Sequence, residues 1–191
     1  PVAGDAPSIS FGPWGSTPCL WMNCNGQRFM NESFAGLVLA QSCRQPINPE
    51  AKMVGNFAIM DSKYMSYIQA GGLDHGAPNW GFPEGIEEFQ AQMEAADPAA
   101  GTVEVRGLEI ANRTSPFVNE IFVGATLEDA LKNAGLEGEA LENAKTSVER
   151  YNELCAAGKD TDFGKPENLL IPIDEGPFFI ATQGTNRLYG P

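Results

Sequence analysis

Two residues, Asn25-Gly26, do more than any others to limit how this chain can fold. They separate two short runs rich in apolar and aromatic side chains, Cys19-Leu20-Trp21-Met22 and Phe29-Met30. Asn-Gly is the dipeptide best suited to a type I′ hairpin turn, whose central residues both need positive φ. The turn predicts Cys24 opposite Gln27, Met22 opposite Phe29 and Trp21 opposite Met30. Because strand side chains alternate, Leu20 and Met22 share one face while Cys19, Trp21 and Asn23 share the other. A hairpin alone is marginal in water, so something must cover it. The apolar run over 34–40 is the nearest candidate.

The rest of the chain mixes helical and extended patterns. Residues 1–17 hold three Pro and three Gly with isolated aromatics, and form an irregular segment. Ser33 is placed to cap a helix to about residue 45, stopped by Pro46. A strand is expected over 53–60, then a short helix from Asp61-Ser62 to about 70. Ile86, Phe89 and Met93 give 83–96 a helical period. Residues 102–106 alternate like an edge strand, and 121–123 form another. Thr126 caps a helix through 134, and a longer one runs over about 139–157, ended by Gly158. A polar loop over 159–166 leads to a last strand over 177–182. Strands and helices intermix without a βαβ rhythm, which predicts an α+β fold of antiparallel hairpins with packed helices.

With 191 residues, 42% of them hydrophobic and 19% charged, the chain can bury a real core. Its net charge of −13 disfavours nucleic acid and anionic membrane surfaces as partners. No apolar run approaches the ~20 residues that cross a bilayer. The start at Pro1 offers no initiator Met and no basic leader, and is expected to be that of a processed or excised piece.

Several chemistries find little support. The spacing over 158–165 is one residue too long for a phosphate-binding loop, and Pro166 stands where a hydroxyl residue is required. No G-x-G-x-x-G follows a strand, so no dinucleotide fingerprint is present. Asp160, Asp162 and Gly164 resemble part of a calcium loop but lack its remaining carboxylates, and a solvated turn is the expectation. His75 is the only imidazole and has no spaced co-ligands, so a loop histidine without a catalytic role is expected. Cys19 and Cys24 lie roughly 17 Å apart on one strand at ~3.4 Å per residue, beyond the reach of a disulfide. All four cysteines are read as thiols, and Cys24, with no base nearby, is not read as a nucleophile.

The hairpin carrying Gly26-x-Arg28-Phe29-x-Asn31-Glu32 resembles a signature of FAD-dependent fumarate reductase-like flavoproteins. That family also holds urocanate reductases and 3-ketosteroid dehydrogenases. Three further stretches are similar, in the family's order. They are Phe57-Ala58-Ile59-Met60-Asp61, the helix pair from Ala125 to Asn152 with Gly158-x-Asp160-x-Asp162-Phe163-Gly164-Lys165, and Pro177-Phe178-Phe179-Ile180-Ala181. Together they span about residues 15 to 185 and match the capping domain, assigned here to 18–191. The resemblance implies a parent in which FAD is held by another domain of the same polypeptide. There hydride would pass between flavin and an activated double bond, while the cap closes over a small-molecule substrate. No bound cofactor and no catalytic residue is expected within this chain.

In fumarate reductases, the resemblance implies, the cap supplies a Thr-Glu pair, an upstream Arg and a proton-donating Arg. Counted from Arg28, those positions fall here at Phe11, Gly12, Gly15 and Gly36. A dicarboxylate needs paired cations to offset its desolvation, and residues 1–50 offer only Arg28 and Arg44. Phe11 and Trp14 fit either a flat, apolar substrate stacked under the cap or filler at the domain interface. The expected substrate-facing positions are Phe11, Trp14, Ser33 and Gly36. Arg28, Asn31 and Glu32 are expected to hold the hairpin. A free-standing binding module derived from such a cap is the alternative.

Overall fold

A computed structural model describes residues 19–33, 41, 44–64, 66, 91–105, 109–110, 113–114 and 119–182. Of these, 104–105, 109–110, 113–114, 119–120 and 182 are described by backbone alone. The strands are β1 (Cys19–Met22), β2 (Phe57–Met60), β3 (Thr102–Val105), β4 (Glu109–Ile110), β5 (Arg113–Thr114), β6 (Asn119–Gly124) and β7 (Phe178–Thr182). Five of them make one sheet in the order β1-β2-β7-β6-β3, and β4 pairs with β5 in a separate ladder. Every neighbouring pair is antiparallel. The expected α+β class is therefore observed, with β3 at the sheet edge where alternation placed it.

Register explains why the strands read as unbroken apolar runs. Trp21, Ala58, Ala181 and Ile121 align in one row across the sheet, and Leu20, Ile59, Ile180 and Phe122 in the next. Successive rows point to opposite faces, and each face has its own apolar cluster. Both faces are covered, so neither set is polar. Ala58 and Ala181 leave room for the fully buried Trp21 indole on their face. Met30, Tyr64 and Met93 join that cluster.

Two helices cover the Leu20 face. Helix α1 (Leu127–Asn133) starts at Thr126, whose hydroxyl oxygen accepts from the Asp129 amide at 3.1 Å. Helix α2 (Gly138–Ala156) turns Leu141, Ala144, Val148 and Tyr151 inward at helical spacing. Both match the predicted helices to within a residue or two. Gly124 lets α1 approach β6: a Cβ there would lie 2.2 Å from the Ala130 backbone nitrogen.

The hairpin differs in register from the prediction. The Gly26 amide donates to Asn23 O at 2.9 Å and the Asn23 amide to Gln27 O at 3.0 Å. Gly26 takes φ +74°, so the loop is three residues long and ends in a left-handed glycine. The bridge that follows pairs Met22 with Arg28 rather than Phe29, one residue from the predicted register. Two causes are visible. The Asn23 side-chain oxygen accepts from the Asn25 and Gln27 amides at 3.0 and 3.1 Å, which favours the longer turn. The loop also sits directly on α2, where Asn143 and Ser147 donate to the Asn25 and Gly26 carbonyls.

The strand expected over 53–60 is shorter. Only Phe57–Met60 is extended, while Met53 tucks into the core behind a turn in which the Asn48 amide donates to Val54 O at 2.7 Å. Of the helices expected over 33–45, 61–70 and 83–96, residues 41, 63–64, 66 and 91–94 are helical, and the remainder lies largely outside the described residues. So do residues 34–40 and His75.

Candidate functional site

After Met22 pairs with Arg28, the second hairpin arm leaves the sheet and runs beside the loop over 160–165. Three side-chain contacts join the two segments in the same direction. Arg28 Nη2 meets Asp160 Oδ2 at 2.8 Å, Asn31 Nδ2 donates to Gly164 O at 3.0 Å, and Lys165 Nζ lies 3.6 Å from Glu32 Oε2. The partners are 132 or 133 positions apart in sequence, so the arm and the loop stay in step along their length. The two signature segments therefore grip one another.

The loop is shaped for this grip by Asp160. One of its carboxylate oxygens accepts from the Asp162 and Phe163 amides, both at 3.0 Å, and the other accepts from the Lys165 amide at 3.0 Å. Asp160 is buried, against the expectation of a solvated turn. The physical reason is Arg28, whose charge makes an interior carboxylate tolerable. Burial acts to raise the Asp160 carboxyl, but hydrogen bonds from Arg28 and from the Phe163 and Lys165 amides outweigh it and hold the group below its usual range.

Arg28 also forks onto Glu32, with Nε to Oε1 at 2.8 Å and Nη2 to Oε2 at 2.9 Å. Its guanidinium lies between the rings of Tyr151 and Phe163, 5.0 and 4.9 Å from their centroids. Burial alone would make Arg28 less basic, yet Glu32 and Asp160 raise its pKa above the ordinary value. The Arg28 and Glu32 side chains are 6% and 1% exposed, so neither is presented to a ligand as a free charge.

Glu32 and Lys165 also close the outer edge of β1. The Trp21 amide reaches Glu32 Oε1 at 3.5 Å, and Lys165 Nζ donates to Cys19 O at 3.4 Å. These are backbone groups that a further strand would otherwise satisfy. Lys165 Nζ also donates to Tyr151 OH at 3.1 Å. Burial first, with the Cys155 and Glu32 charges, keeps that phenol protonated well above its ordinary range. The arrangement thus orders two segments. Burial likewise pushes the Cys24 and Cys155 thiols up, away from nucleophilic character.

Of the predicted substrate-facing residues, Ser33 is described and stands at the exit of the arm, half-buried. Its amide donates to Asn31 Oδ1 at 2.9 Å, and its hydroxyl donates to the same oxygen. Phe11, Trp14 and Gly36 lie outside the described residues. Arg28, Asn31 and Glu32 converge on the hairpin's support. Sequence reasoning missed Asp160, Lys165 and Tyr151 as their partners. The available signal was the pairing of two charged motifs in one chain.

Side-chain positions are described for nine of the twelve Lys and Arg residues, the exceptions being Arg106, Arg113 and Arg187. Among the described residues, the charged side chains of all but Arg44 and Lys159 contact a carboxylate or backbone carbonyl of this chain. Arg44, the only cation in residues 1–50 besides Arg28, is exposed.

No family model matches the chain. Over 174 residues it is 27% identical to the vinyl phenol reductase of Lactiplantibacillus plantarum, covering 86% of this chain and 29% of that protein. It superposes with a TM-score of 0.51, at 18% identity, on the solution NMR structure of a fumarate reductase flavoprotein subunit from Lactobacillus plantarum, covering 96% of this chain and 94% of that one. The 3-ketosteroid-Δ4-(5α)-dehydrogenase of Rhodococcus jostii, solved with 4-androstene-3,17-dione, gives a TM-score of 0.50 at 18% identity, covering 93% of this chain and 26% of that one. The fold is that of fumarate reductase-like flavoproteins, as the motifs imply. The chain spans under a third of the curated relative's length.

Two clefts formed by described residues do not fit FAD. One, of about 460 Å³, lies beside Arg28 and carries the Arg150–Asp162 pair. The other, of about 510 Å³, is lined by Glu50 and Glu137 together with Lys52 and Lys132. Both lysines already donate, to Asn133 O and to Glu128. The cations that line them, Arg28, Arg150, Lys52 and Lys132, are each already paired within the chain, which leaves none of these free for a diphosphate. Among the described residues no helix is long and apolar enough to cross a membrane.

Proposed function

We propose that this chain is the substrate-capping domain of an FAD-dependent oxidoreductase acting on a C=C or CH–CH bond, with a substrate that is not a dicarboxylate. The FAD-binding domain would belong to the same polypeptide. The observation that carries the reading is the mutual grip of 28–32 and 160–165. It joins two signature segments of the flavoprotein fold and fixes the arm just before the positions expected to face substrate. A cap of this kind contributes position and exclusion of water rather than a reacting group.

The substrate class follows from charge. A dicarboxylate entering a dry site must be met by cations, and Arg28 and Lys165 are already buried against carboxylates. Two of the relatives' names support an uncharged, flat substrate, one reducing a vinyl phenol and another solved with a steroid, whereas a third is a fumarate reductase flavoprotein. The test is turnover by the full-length, flavin-loaded polypeptide supplied with reductant. Vinyl phenol is expected to be reduced at a kcat/KM at least tenfold above that for fumarate. Preferential reduction of fumarate would refute the substrate class, and turnover of neither would refute the oxidoreductase reading.

A further inference from the structure

We propose that Asn31 is the positioning residue that directs Ser33 toward the substrate. This rests on the capping-domain reading above. The Asn31 amide is used at both ends: Nδ2 donates to Gly164 O at 3.0 Å, while Oδ1 accepts from the Ser33 amide at 2.9 Å and from the Ser33 hydroxyl. One planar group thus ties the exit of the arm to the loop that Asp160 shapes. Its neighbours Arg28 and Glu32 are bound up in the interior ion pairs, whereas Asn31 belongs to neither apolar cluster.

Position and stability are therefore separable at this residue. Asparagine alone supplies a donor and an acceptor at this side-chain length. Aspartate keeps the acceptor for Ser33 but sets a second oxygen against Gly164 O, two acceptors facing one another. Alanine removes both contacts. The Arg28–Asp160 and Glu32–Lys165 contacts survive either change, so the arm stays attached while its exit loses direction.

Two measurements test this. In the full-length, flavin-loaded polypeptide with vinyl phenol as the probe alkene, Asn31→Asp is expected to raise KM about fivefold or more, the factor carried by a lost hydrogen bond. The expected change in kcat is under about twofold, because a covering residue acts on binding before chemistry. In the chain itself, Asn31→Ala is expected to speed hydrogen exchange at the Ser33 amide about tenfold or more, with Trp21 unchanged. Unchanged Ser33 exchange would overturn the proposal whether or not any alkene is reduced. So would an unchanged KM, or a fall in kcat that tracks lost thermal stability. Absence of turnover in the unmutated polypeptide would instead count against the capping-domain reading, and the exchange result would still decide the role of Asn31.

Discussion

Arg28 and Asp160, 132 positions apart in the chain, meet at 2.8 Å with side chains 6% and 0% exposed. The contact links the start of the fold to the loop after its longest described helix. Such pairs are costly to break singly, because the remaining charge stays buried.

Replacing Asp160 with Ala leaves Arg28 and Lys165 against Glu32 alone and removes the acceptor for three loop amides. The expected loss is about 3–5 kcal/mol. Urea midpoints at neutral pH measure it, and a change below about 1 kcal/mol would mean that water reaches this interior.

The same carboxylate sets an acid limit. Its pKa is depressed on folding, so its contribution is fully present above the unfolded value of about 4 and is lost as pH falls toward the folded value. Stability should therefore drop between about pH 5 and 3, and the drop should be smaller in Asp160→Asn. Parallel pH profiles for the two proteins would contradict the assignment.

Glu32 and Lys165 can be tested as a unit. Lys165→Met should expose the β1 edge and destabilise. The double variant Glu32→Gln with Lys165→Met should lose less than the sum of the single losses, by about 1–3 kcal/mol. Faster exchange at the Trp21 amide in Glu32→Ala would locate the effect at the strand edge.

The turn residue is the clearest steric case. An added Cβ at Gly26 would lie 2.1 Å from Ala140 O and 2.6 Å from Ala144 N, at φ +74°. Gly26→Ala should cost about 2 kcal/mol or more, combining left-handed strain with displacement from α2. Calorimetry should then show Tm lower by roughly 4–8 °C.

The parts of the fold legible in the sequence are those set by local chemistry. Thr126 shows as a cap because its hydroxyl serves its own helix, and α2 shows through the spacing of Leu141, Ala144, Val148 and Tyr151. The strands show as short apolar runs. Their order does not, because register depends on partners far away in sequence. The hairpin slip has the same origin, since Asn23 and the α2 surface select the turn over the intrinsic preference of Asn-Gly. Asp160 and Lys165 look like a solvated loop because nothing local reveals that Arg28 and Glu32 await them. The motifs themselves point to the flavoprotein fold, and the structure brings two of them into contact.

The capping role is tested most directly by removing the cap. Full-length polypeptide and a version in which 18–191 is replaced by a short linker would be compared by anaerobic reoxidation of their reduced flavin with vinyl phenol. The account predicts that the shortened protein keeps its flavin but loses alkene-dependent reoxidation by a factor of at least a hundred. Reoxidation at an undiminished rate would show that these residues do not cover the substrate.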